Sequence, residues 1–451
     1  MNTRAPRGGG VRDGGRVNPS WFSIETLGGA TAALAFAGLC YTNMRVAILI
    51  FTAVGCIQGF QVGAFAGNEM TLGLLPVELL ATVLIVVWAL RLLSGGSRLR
   101  RAAFSAPLLL LILASLVSLI TGFTWFDPTI PLHNLKLAVS VGQILLIIWP
   151  IGVYLVVANS IDDGRAIQAI RNIIVILALP SLVLVVTPAA LPYLEWSFAF
   201  ALPASSLCFA EFFHTRSLPR KAGLLVITFA PVVYGFAMGK AFFYSYVVVS
   251  VAVIGWLKAR RLVLVLAPFA FAAYVVAVPL ASGNLTPAFI REAVETEESQ
   301  QSLGGTGGRD QLVADGLNIW SRFPILGVGP GNNYPYMLRY SSLGTAHNQY
   351  VNILMELGLV GLACFLLFAF KAVRMGLKLW RTALNPMHEK MALAWLGLFA
   401  GMLVGGMFGD FMIPSIRNGG LQLFSLFYVQ WILLGLIVSM TAIERGYRAA
   451  A

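Results

Sequence analysis

Charged residues are scarce in this chain: 11% of its 451 residues are Asp, Glu, Lys or Arg, whereas 58% are hydrophobic. A soluble domain of this length does not need so much apolar surface, so the composition excludes a soluble globular protein and indicates a polytopic membrane protein. Acidic residues are the minority among the charges, with 19 against 31 basic residues. The location of the basic residues therefore decides what the excess of positive charge means.

Cysteine and histidine are also rare, with four of each. The cysteines are dispersed in or beside apolar segments, without the spacing of a disulfide framework or a metal site. His133, His214 and His388 fall in separate predicted loops, which argues against a histidine metal site. We therefore predict neither a metal ion nor a cofactor.

The basic residues concentrate in short connections between apolar segments, at 94–105, 214–221, 257–261 and 373–390. Short cytoplasmic loops of membrane proteins carry such an excess of Lys and Arg. No basic stripe has the form of a nucleic-acid footprint, so nucleic acid is excluded as a partner. The lipid bilayer is the expected partner of this surface.

Apolar segments of about 20 residues, long enough to cross a bilayer, recur along the chain. They predict an all-α protein with about twelve transmembrane helices and both termini inside. Residues 27–43 favour a partial or interfacial segment, and a thirteenth span there remains the alternative. The predicted spans are 45–65, 72–93, 106–124, 137–159, 171–188, 191–213, 222–239, 241–257, 262–280, 348–372, 391–410 and 420–441.

One long connection, residues 281–346, is predicted to lie outside the cytoplasm because its charge balance is opposite to that of the basic loops. Val313, Leu317 and Trp320 recur at helical spacing, which predicts a short amphipathic helix against the membrane surface. Gly-rich residues 327–332 follow. Since no βαβ unit surrounds them, we interpret them as a structural turn and not as a nucleotide loop.

The predicted order of domains places this loop between two groups of membrane helices. The boundaries are a disordered cytoplasmic tail at 1–25, an N-terminal transmembrane bundle at 26–280, the extracytoplasmic loop at 281–346, C-terminal transmembrane helices at 347–442 and a cytoplasmic tail at 443–451.

The candidate site lies where the external loop enters the span at 348–372. Asn348, Asn352 and Glu356 are spaced to share one helix face, and His347 lies at its outer end. A lone histidine at this depth would be an interfacial anchor, but several polar groups on one helix favour a functional site. Glu356 is expected to be a structural partner for another helix or for a loop amide, and Gly358 and Gly361 are expected to let a neighbouring helix approach closely.

Two cations on the same predicted side are weaker candidates. Lys240 is either a snorkelling interfacial lysine or a cation directed at an anionic lipid headgroup. Arg309 is either a solvated loop charge or a fork for diphosphate oxygens. Asp410 and Arg417 flank the last external turn, and they either pair with each other or line the same outer cavity.

The segments 308–310, 323–332 and 347–362 together resemble the signature of the O-antigen ligase and O-antigen polymerase superfamily. The resemblance is specific from about 237 to 367 and is only architectural elsewhere. Many members carry Ser-Arg where this chain has Gly239-Lys240. Lysine keeps the charge but loses the bidentate fork.

The resemblance implies a GT-C-like glycosyltransferase of the bacterial inner membrane, with its active site facing the periplasm. The implied donor is a glycan linked to undecaprenyl diphosphate, with His347 as general base and with Lys240 and Arg309 holding the diphosphate. It would act without a metal ion, and a chain-length regulator or a flippase would be its protein partner. We favour a polymerase of repeat units; a ligase that transfers the finished glycan to lipid A-core is the alternative. A transporter is disfavoured because the chain lacks visible inverted repeats.

Overall fold

The computed structural model describes most of the chain from Ile24 to Ala450. The described residues are 24–55, 63–66, 71–96, 99, 105–125, 127, 129–130, 136–186, 197–237, 245–260, 309–340, 344–416, 420–421 and 423–450. Of the predicted elements, the span at 262–280 and most of the tail at 1–25 lie outside them.

The described residues are helical apart from turns and one short hairpin. The helices are α1 (Ile24–Thr42), α2 (Met44–Val54), α3 (Pro76–Leu93), α4 (Ser105–Thr124), α5 (Lys136–Ser160), α6 (Gly164–Ala178), α7 (Ser181–Val186), α8 (Phe198–Phe212), α9 (Leu218–Ala237), α10 (245–260), α11 (Arg309–Arg322), α12 (Asn333–Met337), α13 (Gln349–Thr382), α14 (Pro386–Gly405) and α15 (Leu423–Ala450). Strands β1 (Gly63–Ala66) and β2 (Thr71–Leu74) pair antiparallel, with Gly63 opposite Leu74.

The predicted span at 45–65 is wrong. Asn43 ends α1 and caps α2, because its side chain accepts a hydrogen bond from the backbone N–H of Val46 at 3.3 Å. Helix α2 then has only 11 residues, and the short hairpin that follows is an addition to the predicted helical architecture. Apolar Gly- and Ala-containing residues satisfied the hydropathy criterion without forming one long helix.

Six helices among the described residues are long and apolar enough to cross a membrane, and they lie at Pro76–Leu93, Ser105–Thr124, Lys136–Ser160, Gly164–Val183, Gln349–Thr382 and Leu423–Ala449. The count of twelve is not reached by these residues. The predicted spans at 106–124 and 137–159 agree with α4 and α5 to within one residue. The predicted loop at 373–390 is wrong, since only residues 383–385 separate α13 from α14.

Helices α5 and α15 form the centre of the bundle. In the most apolar 18-residue stretch of each helix, 78% of the residues of α5 and 83% of those of α15 are buried, compared with 33% in α3 and 39% in α4. Gly435 allows the two central helices to approach closely, because a β-carbon there would lie 2.6 Å from the Val157 side chain. The more exposed apolar helices surround this pair.

One end of the bundle, called the basic end here, contains the turns at residues 43, 161–163, 213–217 and 383–385. An ion pair between Lys258 and Glu389 brings the predicted cytoplasmic loops at 257–261 and 373–390 together at this end. Arg45 pairs with Asp162 at 2.5 Å, and Lys390 with Glu211 at 3.2 Å. The opposite end, called the site end, contains residues 324–333, 344–349 and 406–416.

Candidate functional site at the broken helix

His347 lies two residues before the start of α13, next to the N-cap residue Asn348, and has an unusual backbone conformation. Its φ is +47°, and it is the one residue other than glycine with positive φ among the described residues. This left-handed region is unfavourable for a residue with a β-carbon and is found preferentially at functional sites. The side chain is half-buried, so the imidazole retains access to a reactant.

Asn348 fixes the start of the helix that follows His347. As the N-cap residue, it accepts hydrogen bonds from the backbone N–H groups of Tyr350 at 3.0 Å and Val351 at 3.2 Å. Its amide nitrogen donates to the carbonyl oxygen of Met407 at 3.2 Å. Asn348 therefore has a capping role, and it also ties the histidine turn to the segment after α14.

Gln349 makes a second and stronger connection to that segment. Its side-chain oxygen accepts hydrogen bonds from the successive backbone N–H groups of Phe411 at 3.0 Å, Met412 at 2.7 Å and Ile413 at 3.4 Å. Gln143 on α5 holds the end of the same segment, accepting from Ile416 N–H at 2.7 Å and donating to the Pro414 carbonyl at 2.9 Å. Neutral amides thus satisfy the backbone of a buried loop, as an apolar environment requires.

The apparently continuous helix α13 is broken at Gly358, whose φ and ψ are +63° and −162°. Residues 324–329 cross this break and bond to both halves of the helix. The N–H groups of Val328 and Gly329 donate to the carbonyls of Met355 at 2.7 Å and Glu356 at 3.1 Å, and those of Leu359 and Val360 donate to the carbonyls of Pro324 at 2.9 Å and Ile325 at 3.2 Å. The crossing segment therefore replaces the helical bonds lost at the break.

Glycine is required wherever the crossing segment meets its neighbours. A β-carbon at Gly358 would lie 2.2 Å from the Ile325 carbonyl oxygen, and one at Gly327 would lie 2.4 Å from that of Met355. The prediction that Gly358 permits close helix packing is thus wrong in kind, because this glycine breaks its own helix. The interpretation of residues 327–332 as a structural turn agrees with the positive φ at Gly327, Gly329 and Gly331.

Helix α4 supports the crossing segment from the other side. Ser118 donates to the backbone carbonyl of Glu356 at 2.7 Å and also contacts that of Leu326. Gly122 leaves room for the turn, because a β-carbon there would lie 2.5 Å from the Val328 carbonyl oxygen. The α4 side chains therefore hold the break in place.

The predicted helix exists as α11, and the expected contact of Val313, Leu317 and Trp320 with the membrane surface stays a prediction. Leu312 and Ile319 are buried, whereas Leu317 is 39% exposed. Gly316 faces α13, since a β-carbon there would lie 2.5 Å from the Val351 side chain. Arg309 is the first residue of this helix; its side chain lies outside the described part of the structure.

The loop after α4 joins the site end through residues 127–129. The backbone N–H of Asp127 donates to the Tyr336 hydroxyl at 3.2 Å, and the Asp127 carboxylate lies 3.5 Å from Arg339. Hydrogen bonds from the Thr129 hydroxyl and N–H lower the pKa of Asp127, with a smaller contribution from Arg339. Burial raises the pKa of the Tyr336 hydroxyl.

The structure brings together four of the predicted site residues: His347, Asn348, Asn352 and Glu356. Asn352 and Glu356 are buried, and the backbone carbonyl of Glu356 anchors the crossing segment. Lys240 and Arg417 lie outside the described residues, so their predicted roles remain predictions. Within the described part of the chain, no group of three His, Cys, Asp or Glu side chains could hold a metal ion.

Several functional neighbours were missed at the sequence level. No role was predicted for Gln349, Gln143 or Ser118. Each bonds to backbone more than 60 positions away. An uncharged polar residue inside an apolar helix was the available signal.

The apolar helices and the buried polar layer together define a multi-pass membrane protein with a polar site at one end of its bundle. Residues 222–366 match the family model described as O-antigen ligase, which confirms the resemblance to the O-antigen ligase and polymerase superfamily. The match includes α11, the crossing segment, His347 and the break in α13. No curated protein matches the chain.

Proposed function

We propose that this chain is a membrane glycosyltransferase that takes its sugar from a glycan linked to polyprenyl diphosphate. The match to the O-antigen ligase family supports this class of reaction, and it spans Lys240, Arg309 and His347. An undecaprenyl carrier, a GT-C-like arrangement and a periplasm-facing site in the bacterial inner membrane are parts of the same proposal. A flippase would deliver the donor to that side.

The observation that carries the proposal is the half-buried His347 on a left-handed backbone, next to a layer of buried neutral amides. Asn and Gln side chains cannot accept a proton at neutral pH, whereas imidazole can. A strained residue that the surroundings hold in place is typical of catalytic sites. We therefore assign the role of general base to His347.

In the proposed reaction, His347 removes a proton from an acceptor sugar hydroxyl while that oxygen attacks the anomeric carbon of the donor. The new glycosidic bond forms as the bond between the anomeric carbon and the phosphate oxygen breaks. Polyprenyl diphosphate leaves with the bonding electrons, and Lys240 and Arg309 stabilise its charge. This assignment gives cationic side chains the task that a metal ion performs in other transferases.

The reaction supports two acceptors. With a second lipid-linked repeat unit as acceptor the protein is a polymerase of an exopolysaccharide or O-antigen, and this is our first candidate; a chain-length regulator would then be its partner. The alternative, which the description of the matching family names, is a ligase that transfers the glycan to lipid A-core. A deletion strain separates the two: single repeat units on the final acceptor indicate a polymerase, and long polymer retained on the lipid carrier indicates a ligase.

The general-base role is tested by His347→Ala, assayed for glycan transfer in detergent with and without EDTA. The variant should lose activity by about 10²- to 10⁴-fold, the usual contribution of a general base. His214→Ala is the matched control, because this half-buried histidine contacts the Ala210 carbonyl at the basic end. Near-normal transfer by a folded His347→Ala protein would refute the assignment, and loss of wild-type activity in EDTA would refute metal independence.

The diphosphate role of Lys240 needs a separate comparison. If its charge holds the leaving group, Lys240→Arg should retain much of the rate and Lys240→Ala little. Equal rates for both variants at wild-type level would remove Lys240 from the mechanism without affecting His347.

A further inference from the structure

A buried polar chain connects the turn that carries His347 to Asp410, on the segment after α14. Asn352 lies between them, one helical turn into α13. Asn352, Asp410 and Thr345 are 4%, 8% and 4% exposed, so this chain is shielded from solvent. Polar groups in such surroundings are retained with their hydrogen bonds made.

Two neighbours with opposite requirements fix the amide of Asn352. Its side-chain oxygen accepts a hydrogen bond from the backbone N–H of Ala346 at 3.2 Å. Its nitrogen donates to Asp410 Oδ1 at 3.0 Å. An N–H group can only donate and a carboxylate can only accept, so the amide has a single orientation that satisfies both.

Thr345 extends this arrangement to the histidine itself. Its hydroxyl oxygen accepts from the Asn352 nitrogen at 3.1 Å and from the backbone N–H of His347 at 3.3 Å. The backbone of residues 345–347 is therefore held by Asn352 and Thr345 in the conformation that gives His347 its positive φ. Without such support, a residue with a β-carbon would relax out of the left-handed region.

Asp410 in turn is fixed by the loop that contains it. Its second oxygen accepts from the backbone N–H of Ser415 at 3.2 Å, and Gln349 binds the intervening N–H groups of residues 411–413. The carboxylate thus belongs to a rigid frame, and its distance to Asn352 is set by that frame.

We propose that Asn352 and Asp410 are positioning residues that hold His347 in its catalytic conformation. The proposal rests on the proposed function, in which His347 is the general base. Neither residue is assigned contact with substrate. Their loss is therefore expected to lower kcat and to leave the KM for the lipid-linked donor nearly unchanged, because the base is misplaced while the donor site remains.

The decisive experiment exchanges the two side chains. Asn352→Asp places a carboxylate next to the Asp410 carboxylate, so neither can donate to the other. In Asp410→Asn, the new amide oxygen can accept from Asn352 or from the Ser415 N–H. The new amide nitrogen then faces the donor that is left. In the double variant, the amide introduced at position 410 donates through its nitrogen to the carboxylate introduced at position 352. The oxygen of that amide accepts from the Ser415 N–H, and the carboxylate at position 352 still accepts from the N–H of Ala346.

Each single variant should lose kcat by roughly 10- to 100-fold, the effect of displacing a catalytic group by about 1 Å. The exchange variant should recover to within about tenfold of the wild type, with the KM of all three variants within about twofold. Full kcat in either single variant would overturn the proposal. So would an exchange variant whose kcat does not exceed that of the less active single variant. All rates are measured on purified variants, and the thermal unfolding of each variant is measured to establish that it is folded like the wild type.

A second pair of variants decides the question if the acidic or amide variants do not fold. Thr345→Ser keeps the hydroxyl that receives the His347 N–H and should retain most of kcat, whereas the isosteric Thr345→Val should lose at least about tenfold. Equal kcat in these two variants would contradict the positioning role. Full activity of His347→Ala would instead show that the proposed function of His347 has failed.

Discussion

The two ends of the bundle are held together by different chemistry. At the basic end, carboxylates bind cations from several helices: Glu211 of α8 contacts Arg171 of α6 at 3.4 Å, Arg220 of α9 at 3.3 Å and Lys390 of α14 at 3.2 Å. Glu444 of α15 accepts from His388 at 2.7 Å and from the backbone N–H groups of Leu384 and Asn385. Ion pairs therefore join most helices at this end.

At the site end the corresponding contacts run from neutral side chains to backbone. Gln349, Gln143, Asn348 and Ser118 each bond to main-chain atoms of another segment. Most of the described hydrogen bonds that connect segments of the buried layer use uncharged side chains. Asp410 and Lys136 are charged exceptions, and Lys136 of α5 donates to the Gly122 carbonyl of α4 at 2.9 Å. The proposed diphosphate-linked donor needs cations, and Lys240 and Arg309 are proposed to supply them.

The described ion pairs at the basic end are thus structural, whereas the buried contacts beside His347 are made mainly by neutral side chains. Ion pairs at the basic end connect packed helices and are partly solvated, so each contributes modestly to stability. At the site end, removal of a neutral side chain leaves its backbone partner without a hydrogen bond in an apolar environment, which is costly. Variants of the two ends should accordingly separate stability from catalysis.

The largest effect is expected from Gly358→Ala at the site end. An alanine β-carbon would lie 2.2 Å from the Ile325 carbonyl oxygen, and the alanine would have to adopt φ +63°. The strain and the displaced crossing segment should destabilise the fold by about 3 kcal/mol and abolish transfer. Thermal unfolding in detergent and a transfer assay measure both. Gly223→Ala on α9, where a β-carbon meets nothing within 4 Å, is the control and should be near normal.

The break at Gly358 also shows where sequence reasoning reaches its limit. Apolar residues dominate the sequence on both sides of Gly358, so nothing local marks that position as a break. Only the crossing of residues 324–329 explains why the helix breaks, and that contact is between segments about 30 residues apart. The roles of Gln349 and Gln143 could not be predicted for the same reason, since their partners lie 62 to 273 positions away in the sequence.

Local signals were more reliable where the structure depends on neighbouring residues. The limits of α4 and α5 followed from uninterrupted apolar runs, and the turn at 327–332 followed from its glycines. Helix α11 was predicted from its periodicity, but its packing against α13 at Gly316 depends on a segment about 35 residues away. The polar residues around His347 predicted a site at this turn, and its catalytic role stays a prediction.

Glu211→Gln should have the next largest effect, and on stability alone. The carboxylate is 9% exposed and faces Arg171 and Lys390, which are 21% and 26% exposed. Loss of these charged hydrogen bonds should lower the free energy of unfolding by about 2 kcal/mol. The effect is not larger because both cations can still be hydrated. The kcat per folded molecule should not change. Arg220→Gln, at a 61% exposed partner, is the control and should cost less than about 0.5 kcal/mol. A lowered kcat in Glu211→Gln would contradict the division between the two ends.

Ser118→Ala tests the site end with a smaller change. It removes the hydroxyl that bonds to the Glu356 carbonyl, and should cost about 1 kcal/mol together with a measurable loss of kcat. Ser115→Ala on the same helix is the matched control, since that hydroxyl bonds within its own helix to the Leu111 carbonyl at 2.8 Å. If both variants show the same kcat and unfolding temperature, the crossing segment does not depend on α4.

The smallest effect is expected at Asp127, the exposed ion pair of the site end. Thr129 and Arg339 lower the pKa of this carboxyl in the folded protein. Its contribution is therefore present above the unfolded pKa of about 4 and is lost as the pH falls through the folded value. The Tm of Asp127→Asn should be slightly below that of the wild type at pH 7, and the difference should shrink below pH 4. Because this pair is solvated, transfer activity at pH 7 should not change. A Tm difference that stays constant from pH 7 to pH 3 would mean that the contact with Arg339 and Thr129 does not depend on the carboxylate charge.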